Sequence, residues 1–449
     1  MKNRFLIALV TGLVLASCKE VLTPPSPATA MDYYLSNDDS TYSWDVMDQY
    51  VLGDLNITVL KMISQQWRGI RWTHEIDIIC PAKPDGNEAL LFISGGINDY
   101  GLPDWRGQDD GIIRMMGQIA KDNNALVAIV SQVPNQPLYN GLAEDALIAF
   151  TLYNYREDGD LTWPLLFPMT KTVIKAMDAV QDYARNKLDL KIKRFLVSGA
   201  SKRGWTTWLA AAQDERITAI APMVIDILNM AVNVDYQKEA WGDYSVEIQD
   251  YVKLGITSAI DSPQGSDLAS MIDPFSYREK LDMPKMIFIG TNDRYWPVDA
   301  VKNYIGQIPG KNYIHYVPNA GHELGDGTEA LQCLSAFFNL TRKKRLMPVC
   351  DWKIKYDTSS IILNITAGDN LVRANFWHAL SLDRDFRDEI FNFAEIQPVT
   401  FKNIDVVVKY PETGFKAFYV ELVYRADPVG EYSVTTRMFV TGEKDLYLD

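Results

Sequence analysis

The sequence predicts an α/β fold with a doubly wound, mostly parallel sheet, followed by a small all-β sandwich domain. Two patterns predict this organisation. Up to about residue 340, short apolar runs rich in β-branched residues alternate with amphipathic stretches, which is typical of parallel strands joined by helices. From Val349 onward, apolar residues recur at every second position between polar, Gly and Pro turns, which indicates antiparallel strands.

The composition is that of a large globular protein. The chain has 449 residues, enough for roughly two or three folded units. Hydrophobic residues make up 47% and charged residues 23%, a balance that excludes an intrinsically disordered chain. Lys and Arg number 44 against 58 Asp and Glu, so the formal net charge is −14. An acidic surface repels phosphate backbones, and nucleic acid is therefore not an expected partner.

The N-terminus has the pattern of an export signal. In residues 1–17, the basic residues Lys2 and Arg4 precede an apolar run too short to span a bilayer. The residues around Cys18 resemble a bacterial lipobox, which predicts lipid attachment at Cys18 and a protein anchored to a membrane of the bacterial cell envelope, periplasmic or surface-exposed. The alternative is a conventional signal peptide with an incidental cysteine. Prolines and small residues predict a tether over residues 18–45.

Residues 46–345 are assigned to the α/β domain and residues 346–449 to the sandwich. Within the α/β domain, residues 222–284 are rich in Trp, Tyr and Asp and have no strong strand signals. This predicts a helical lid inserted over the sheet edge. The predicted strands of the α/β domain are residues 57–62, 73–79, 89–93, 125–130, 194–197, 217–221, 285–289 and 313–317.

The segment from 195 to 205 predicts a nucleophile at Ser201. An apolar strand runs into Gly199-Ala200-Ser201, and a helix pattern follows. A serine on such a tight strand-to-helix turn is held at strained backbone angles with its hydroxyl exposed, next to the positive end of the helix dipole. The pattern departs from the commonest one, because Arg203 stands two residues after the serine and Gly204 comes third.

Two further residues complete a catalytic triad in the sequence. Asp293 follows strand 285–289, and His322 follows strand 313–317. Since parallel strands end at the same edge of a sheet, both should lie near Ser201. The order Ser, Asp, His along the chain is that of α/β-hydrolases, and it predicts acyl transfer to water with His322 as the base and Asp293 as its orienting carboxylate. Asp226 and Asp299 are the alternative orienting residues.

Backbone amides are expected to form an oxyanion hole. The Gly-Gly turn after strand 89–93 offers the amide of Gly96 or Ile97, which could act together with that of Lys202. A simple turn is the alternative for this segment. No metal site is expected, because His322-Glu323 begins like a zincin motif but lacks its second histidine, and no cofactor is expected either.

Three segments carry a family resemblance: SGASKRGWTTW at 198–208, GTNDRYW at 290–296 and NAGH at 319–322. With them, the chain resembles the PhoPQ-activated pathogenicity-related protein family over about residues 40–440. That resemblance implies an exported serine hydrolase of the α/β-hydrolase superfamily, with some similarity to prolyl-dipeptidase-type hydrolases, and it implies no agreed substrate. The elbow around Ser201 is also locally similar to that of glucuronoyl and other carbohydrate esterases.

The sequence therefore predicts a lipid-anchored serine hydrolase acting on a peptide amide or an ester. A carbohydrate (acetyl or glucuronoyl) esterase and a non-catalytic binding protein of the same fold are the alternatives, so the ligand is a small molecule, a peptide or a glycan. Asp243 and Glu247 could bind the ammonium group of a peptide substrate. Export permits a disulfide, and the spacing leaves Cys350 with Cys333 or with Cys80 as open pairings.

Overall fold

The computed structural model describes residues 25–397 and 402–448. The strands in these residues are β1 (Ser43–Leu52), β2 (Leu55–Trp67), β3 (Ile70–Pro81), β4 (Glu88–Ile93), β5 (Asn98–Asp99), β6 (Leu102–Pro103), β7 (Val127–Val130), β8 (Arg194–Ala200), β9 (Ile217–Met223), β10 (Lys285–Gly290), β11 (Asn312–Val317), β12 (Cys350–Tyr356), β13 (Ile361–Ala367), β14 (Leu371–Ser381), β15 (Asn392–Glu395), β16 (Asn403–Val408), β17 (Phe415–Ala426), β18 (Gly430–Thr435), β19 (Phe439–Thr441) and β20 (Leu446–Tyr447).

The helices of the same residues cover both faces of the sheet and the lid. They are α1 (Ala30–Ser36), α2 (Gly111–Asn123), α3 (Glu144–Asp158), α4 (Leu166–Lys187), α5 (Lys202–Ala211), α6 (Met230–Trp241), α7 (Gln249–Lys253), α8 (Pro263–Ile272) and α9 (Thr328–Arg342).

The central sheet is mostly parallel, as predicted. Its strand order is β1-β2-β3-β7-β4-β8-β9-β10-β11, in which β7 through β11 run parallel to one another and β1 to β3 form an antiparallel edge. All eight strands predicted for this domain are present, and β1 is an additional strand that the sequence pattern did not indicate.

Successive side chains of the central strands point into two different cores. On β8, Phe195 and Val197 belong to the apolar cluster that includes α4 and α5, whereas Leu196 belongs to the cluster that includes α2 and α9. Because both faces of these strands are buried, successive residues must all be apolar, and the strands appear in the sequence as continuous apolar runs. Each large side chain buried in this way stabilises the fold by about 1.5–3 kcal/mol.

The segment between β9 and β10, for which a helical insertion over 222–284 is predicted, is helical from Met230 onward. Helices α6, α7 and α8 lie between β9 and β10, together with short 3-10 turns. In the part of the chain that the structure describes, no helix has the length and apolar character needed to cross a membrane.

The predicted tether is too long at its C-terminal end. Residues 18–45 were expected to lack a core, but Ala30 and Met31 of α1 are buried in the main apolar cluster, and β1 starts at Ser43. The seven-residue helix α1 packs against α4 through these apolar residues. The signal peptide at residues 1–17 and Cys18 lie outside the described residues.

The C-terminal region is all-β and joins the central sheet. The sheet β12-β13-β16 faces β14, β17 and β18, and its Leu363 shares a core with Val420 and Leu422 of β17. Strand β18 also pairs with β11, where Thr435 lies opposite Ile314, so one sheet of the sandwich continues the sheet of the α/β domain. This edge-to-edge junction was not apparent in the sequence, because the pairing partner of an edge strand leaves no local pattern.

The three cysteines of the described residues, Cys80, Cys333 and Cys350, are free, so neither open disulfide pairing is formed. Burial raises the pKa of the Cys80 thiol to about 11, which keeps this thiol protonated and unreactive at neutral pH.

Candidate active site

Ser201 lies on the turn between β8 and α5, as predicted. Its backbone has φ 58° and ψ −127°, a conformation that side-chain-bearing residues rarely adopt. The Ser201 N–H donates to the carbonyl of Met223 on β9 (2.9 Å), and its carbonyl accepts from Trp205 N–H (3.0 Å). A strained backbone of this kind costs about 1–3 kcal/mol and persists only where the surroundings fix it.

Glycine at position 204, rather than 203, makes this turn possible. A Cβ on Gly204 would lie 2.7 Å from Ile225 Cγ2 and 2.9 Å from the carbonyl oxygens of Gly199 and Met223. The helix therefore crosses β8 and β9 at its third residue. Residue 203 also lies close to β8, since a Cβ on Gly199 would be 2.9 Å from Arg203 Cβ. The rest of the Arg203 side chain extends to Glu144, so this position accommodates a long side chain.

The two basic residues after Ser201 attach the turn to the start of α3. Arg203 donates from Nη1 and Nη2 to the two carboxylate oxygens of Glu144 (2.7 and 2.6 Å). The Lys202 ammonium lies 2.9 Å from Glu144 and 3.1 Å from Asp145. Burial by itself would raise the pKa of Glu144, but the hydrogen bonds and charge of Arg203 outweigh it and hold this pKa at about 2. Nothing local in the sequence signals Glu144, which is 59 residues from Arg203.

Asp293 and His322 meet at the carboxyl edge of the sheet. His322 Nδ1 lies 2.8 Å from Asp293 Oδ2, and the other carboxylate oxygen accepts from the Tyr295 N–H (2.8 Å). Asp293 is only 4% exposed. A buried carboxylate beside Nδ1 favours the tautomer with the proton on Nδ1, which leaves Nε2 free to act as a base.

One face of the His322 imidazole packs against the Tyr295 ring, and the two ring centroids lie 4.2 Å apart. Among the described residues, His322 Nε2 has no hydrogen-bond partner, and it is shielded from solvent. His322 and Ser201 line the same pocket. The structure thus brings Ser201, His322 and Asp293 together at one site, with His322 Nε2 not bonded to the Ser201 hydroxyl.

The two alternative orienting residues are engaged elsewhere. Asp226 accepts a hydrogen bond from the Tyr304 hydroxyl, and burial raises its pKa to about 7. Asp299 accepts from the Tyr236 hydroxyl (2.8 Å) and pairs with Lys302 (3.3 Å). Neither carboxylate bonds to the His322 imidazole, whereas Asp293 does.

The predicted oxyanion loop lies beside the elbow. A Cβ on Gly95 would lie 2.7 Å from Arg203 Nη2, and a Cβ on Gly96, whose φ is +135°, would lie 3.0 Å from Gln132 Nε2. The carbonyl of Gly96 accepts from Gln136 Nε2 (3.1 Å), which fixes the loop. As the first residue of α5, Lys202 has an N–H without an intrahelical partner. The assignment of Lys202, Gly96 and Ile97 to an oxyanion hole stays a prediction.

A small apolar cavity of about 60 Å³ adjoins the triad. Its polar lining consists chiefly of Ser201, His322, Lys202 and Asp145, and Asp145 accepts from the Tyr251 hydroxyl (2.9 Å). Apolar side chains, most of them from the lid, form the rest of the wall, among them Trp205, Ile225, Met230, Val234, Ile248 and Trp296.

The two acidic residues suggested as partners for a peptide ammonium group do not line this pocket. Asp243 and Glu247 are not among its lining residues, and Asp243 is exposed on the lid. In the described ranges, no group of three or more His, Cys, Asp or Glu side chains is arranged to hold a metal ion.

The doubly wound sheet, the strained serine turn and the chain order of the site residues define an α/β-hydrolase fold. A sequence model of the PhoPQ-activated pathogenicity-related protein family matches residues 31–387, and the chain belongs to this family.

Similar proteins come from several organisms. The chain is 29% identical over 434 residues to autocrine proliferation repressor protein A of Dictyostelium discoideum, covering 88% of this chain and 86% of that protein. Acetyl xylan esterase 1 from Thermoanaerobacterium sp. has a TM-score of 0.48 at 18% identity, covering 70% of this chain and 96% of the esterase. A glucuronoyl esterase from Solibacter usitatus has a TM-score of 0.38 at 13% identity, covering 67% and 88% of the two chains.

Proposed function

We propose that this protein is a serine hydrolase in which Ser201 is the nucleophile, His322 the general base and Asp293 the residue that orients His322. One observation carries the proposal. The His322 imidazole is bonded to a buried carboxylate at 2.8 Å, in a pocket that it shares with a serine held at φ 58°. An unpaired Nε2 that lines the same pocket as a half-buried serine on a strained turn is an arrangement suited to activating the serine hydroxyl.

In the proposed reaction, Ser201 Oγ attacks the substrate carbonyl carbon while His322 Nε2 accepts the hydroxyl proton. Asp293 stabilises the imidazolium that forms. The N–H of Lys202, with that of Gly96 or Ile97, binds the oxyanion. Collapse of the tetrahedral intermediate expels the alcohol or amine, which receives the proton from Nε2, and leaves an acyl group on Ser201. Water then attacks this acyl group with His322 again as the base, and the carboxylic acid leaves.

The pocket favours an ester with a small, uncharged group beside the carbonyl. Its walls are apolar, and the charges at its polar end are already paired, Asp145 with Lys202 and Glu144 with Arg203. An ammonium group of a peptide would have to replace one of these cations, at a desolvation cost. The contacts therefore support esters over peptides with a free N-terminus.

A carbohydrate acetyl esterase is the second candidate. The cavity of about 60 Å³ suits a group no larger than a few heavy atoms, such as an acetyl group, and not a sugar ring. On this proposal the sugar would remain outside the cavity.

We further propose export to the bacterial cell envelope and anchoring through lipidated Cys18, supported by the apolar run and lipobox-like pattern of residues 1–18. Metabolic labelling with a fatty acid tests this. The full-length chain should incorporate the label and a Cys18→Ala variant should not, and equal labelling of both would exclude the anchor.

Labelling with a fluorophosphonate tests the proposed chemistry directly. The wild-type protein should react, whereas Ser201→Ala and His322→Ala should not. Acetyl, butyryl and octanoyl esters of one chromogenic alcohol, with a dipeptide amide alongside, then test substrate size, and acetyl should be hydrolysed fastest. Folded wild-type protein that fails to react would exclude an activated Ser201 and leave the non-catalytic binding protein as the better interpretation.

A further inference from the structure

The C-terminal β region sends a loop to the active-site edge of the α/β domain. Residues 384–391, named the brace segment here, lie between β14 and β15. The side-chain amide of Asn292 donates to three carbonyl oxygens of this segment, those of Phe386 (3.0 Å), Arg387 (3.3 Å) and Glu389 (2.7 Å). Asn292 immediately precedes Asp293. The loop that carries the catalytic carboxylate is therefore attached to the brace segment.

The loop that carries His322 is attached to the same segment. Asn319 accepts from the Phe391 N–H at Oδ1 (2.7 Å) and donates from Nδ2 to the Phe391 carbonyl (3.0 Å). Asn319 has φ 56°, a conformation in which asparagine is among the few tolerated side chains. Two such bonds to one backbone unit fix both the position and the orientation of this loop.

Thr291 links the two attachments. Its Oγ1 accepts from the Asn319 N–H (2.8 Å) and donates to Asn292 Oδ1 (2.8 Å). The Asn292 N–H also donates to the carbonyl of Ala320 (2.9 Å). Both asparagine amides are thus bonded on their oxygen and nitrogen sides, and the network connects the Asp293 loop, the His322 loop and the brace segment without interruption.

The brace segment also contacts the lid. Arg384 donates to the Tyr236 hydroxyl (2.6 Å) and pairs with Glu239 (3.0 Å), and the Arg387 guanidinium lies 4.0 Å from the Trp241 ring centroid. These three partners belong to α6. The brace segment therefore contacts the Asp293 loop, the His322 loop and α6 of the lid.

We propose that the brace segment positions the acid–base half of the active site, with Asn292 and Asn319 as positioning residues that hold the Asp293–His322 pair in reach of Ser201. This inference rests on the proposed function for its kinetic consequence. The physical reason is that Asp293 and His322 sit on loops of two different strands, so their 2.8 Å bond requires a fixed relation between the loops. A displacement of about 1 Å at such a site can lower the rate about a hundredfold.

The test compares Asn292→Ala and Asn319→Gly with the matched control Asn392→Ala. Glycine keeps the left-handed conformation at position 319 while removing the amide. Asn392 is an exposed asparagine just after the brace segment, and its amide donates to the carbonyl of Ile390 within that segment (3.2 Å). Its replacement therefore removes an asparagine amide at the brace segment while leaving the bonds of Asn292 and Asn319 in place. Folding of each variant is checked by thermal unfolding, and measurements are made well below its midpoint.

The first readout is the low-field proton resonance of the His322 Nδ1–H, assigned by its absence in His322→Ala. Asn292→Ala and Asn319→Gly should each lose or broaden it, while Asn392→Ala should retain it. The second readout is the rate of fluorophosphonate labelling of Ser201, which should fall about ten- to a hundredfold in the two brace variants and remain within about twofold in the control.

An unchanged resonance together with a wild-type labelling rate in both brace variants would overturn the proposal. The same is true if the control loses as much as they do. The two proposals fail separately. If wild-type protein shows the resonance but does not react with the fluorophosphonate, the serine hydrolase proposal fails, and the resonance still decides whether the brace segment positions the Asp293–His322 pair.

Discussion

The two halves of the active site are supported in different ways. The nucleophile half is held by residues close to it in the fold's parallel core: Ser201 bonds to Met223, and Gly204 packs on Gly199. The acid–base half is held from far along the chain, because Asn292 bonds to Glu389, 97 residues away, and Asn319 to Phe391, 72 residues away. The nucleophile half is held within the α/β domain, whereas the acid–base half is held jointly by the α/β domain and the C-terminal β region.

The difference shows what each half needs. A serine with a strained backbone needs close backbone packing, which Gly199 on β8 and Gly204 on α5 allow. The Asp293–His322 pair needs two separate loops to keep one distance, and neutral amide bonds to a third segment can fix that distance without adding charge near the imidazole. Ion pairs are used at the elbow instead, where Glu144 binds Arg203 away from the triad bond.

Removing either half of the triad should have the largest effect. Ser201→Ala and His322→Ala should each lower ester hydrolysis by at least about 10⁴-fold, because the two groups act as one unit. The double variant should be no worse than the single ones. Steady-state kinetics on the acetyl ester measures this, and a His322→Ala variant with more than a tenth of wild-type activity would show that the two halves do not work together.

Gly204→Ala tests the local support of the nucleophile half. The helix propensity of alanine favours this change by about 1 kcal/mol, but two carbonyl oxygens at 2.9 Å from the new Cβ cannot move without opening the turn. We expect a net loss of about 2 kcal/mol or more in the free energy of unfolding, measured in urea. Gly111→Ala is the control, because a Cβ at this helix start has no atom within 4 Å. Equal stability of the two variants would contradict a crowded elbow.

Glu144→Gln tests the ion pairs of the elbow and should have the smallest effect. The folded pKa of Glu144 is about 2, below its usual 4.5, so its ionised form stabilises the fold above pH 4.5 and loses this contribution as the pH falls toward 2. Since the side chain is 42% exposed, solvent screening limits the effect to about 1 kcal/mol. The stability difference between wild type and variant should be constant from pH 6 to 5 and should shrink below about 4.5. A difference that grows on acidification would contradict the pairing.

Much of the site could be predicted because its residues follow strands. Ser201, Asp293 and His322 each stand directly after an apolar run, and parallel strands bring their carboxyl ends together without any knowledge of packing. Glu144 and the brace segment could not be predicted. Their partners lie 59 to 97 residues away, and neither an Asn amide nor a Glu carboxylate in a loop indicates in advance what it will bond.

The sequence by itself determined the α/β class, the eight predicted strands, the helices between β9 and β10, and the positions of Ser201, Asp293 and His322 after their strands, because periodicity and strand-end position are local properties of the chain. Tertiary structure decided the rest. It packed α1 and β1 against the α/β domain in place of a longer tether, bonded His322 to Asp293 and not to Asp226 or Asp299, and joined β18 to β11. Each of these outcomes depends on contacts between segments that are far apart in the chain. Such contacts leave no local sequence pattern and are established only when the chain folds.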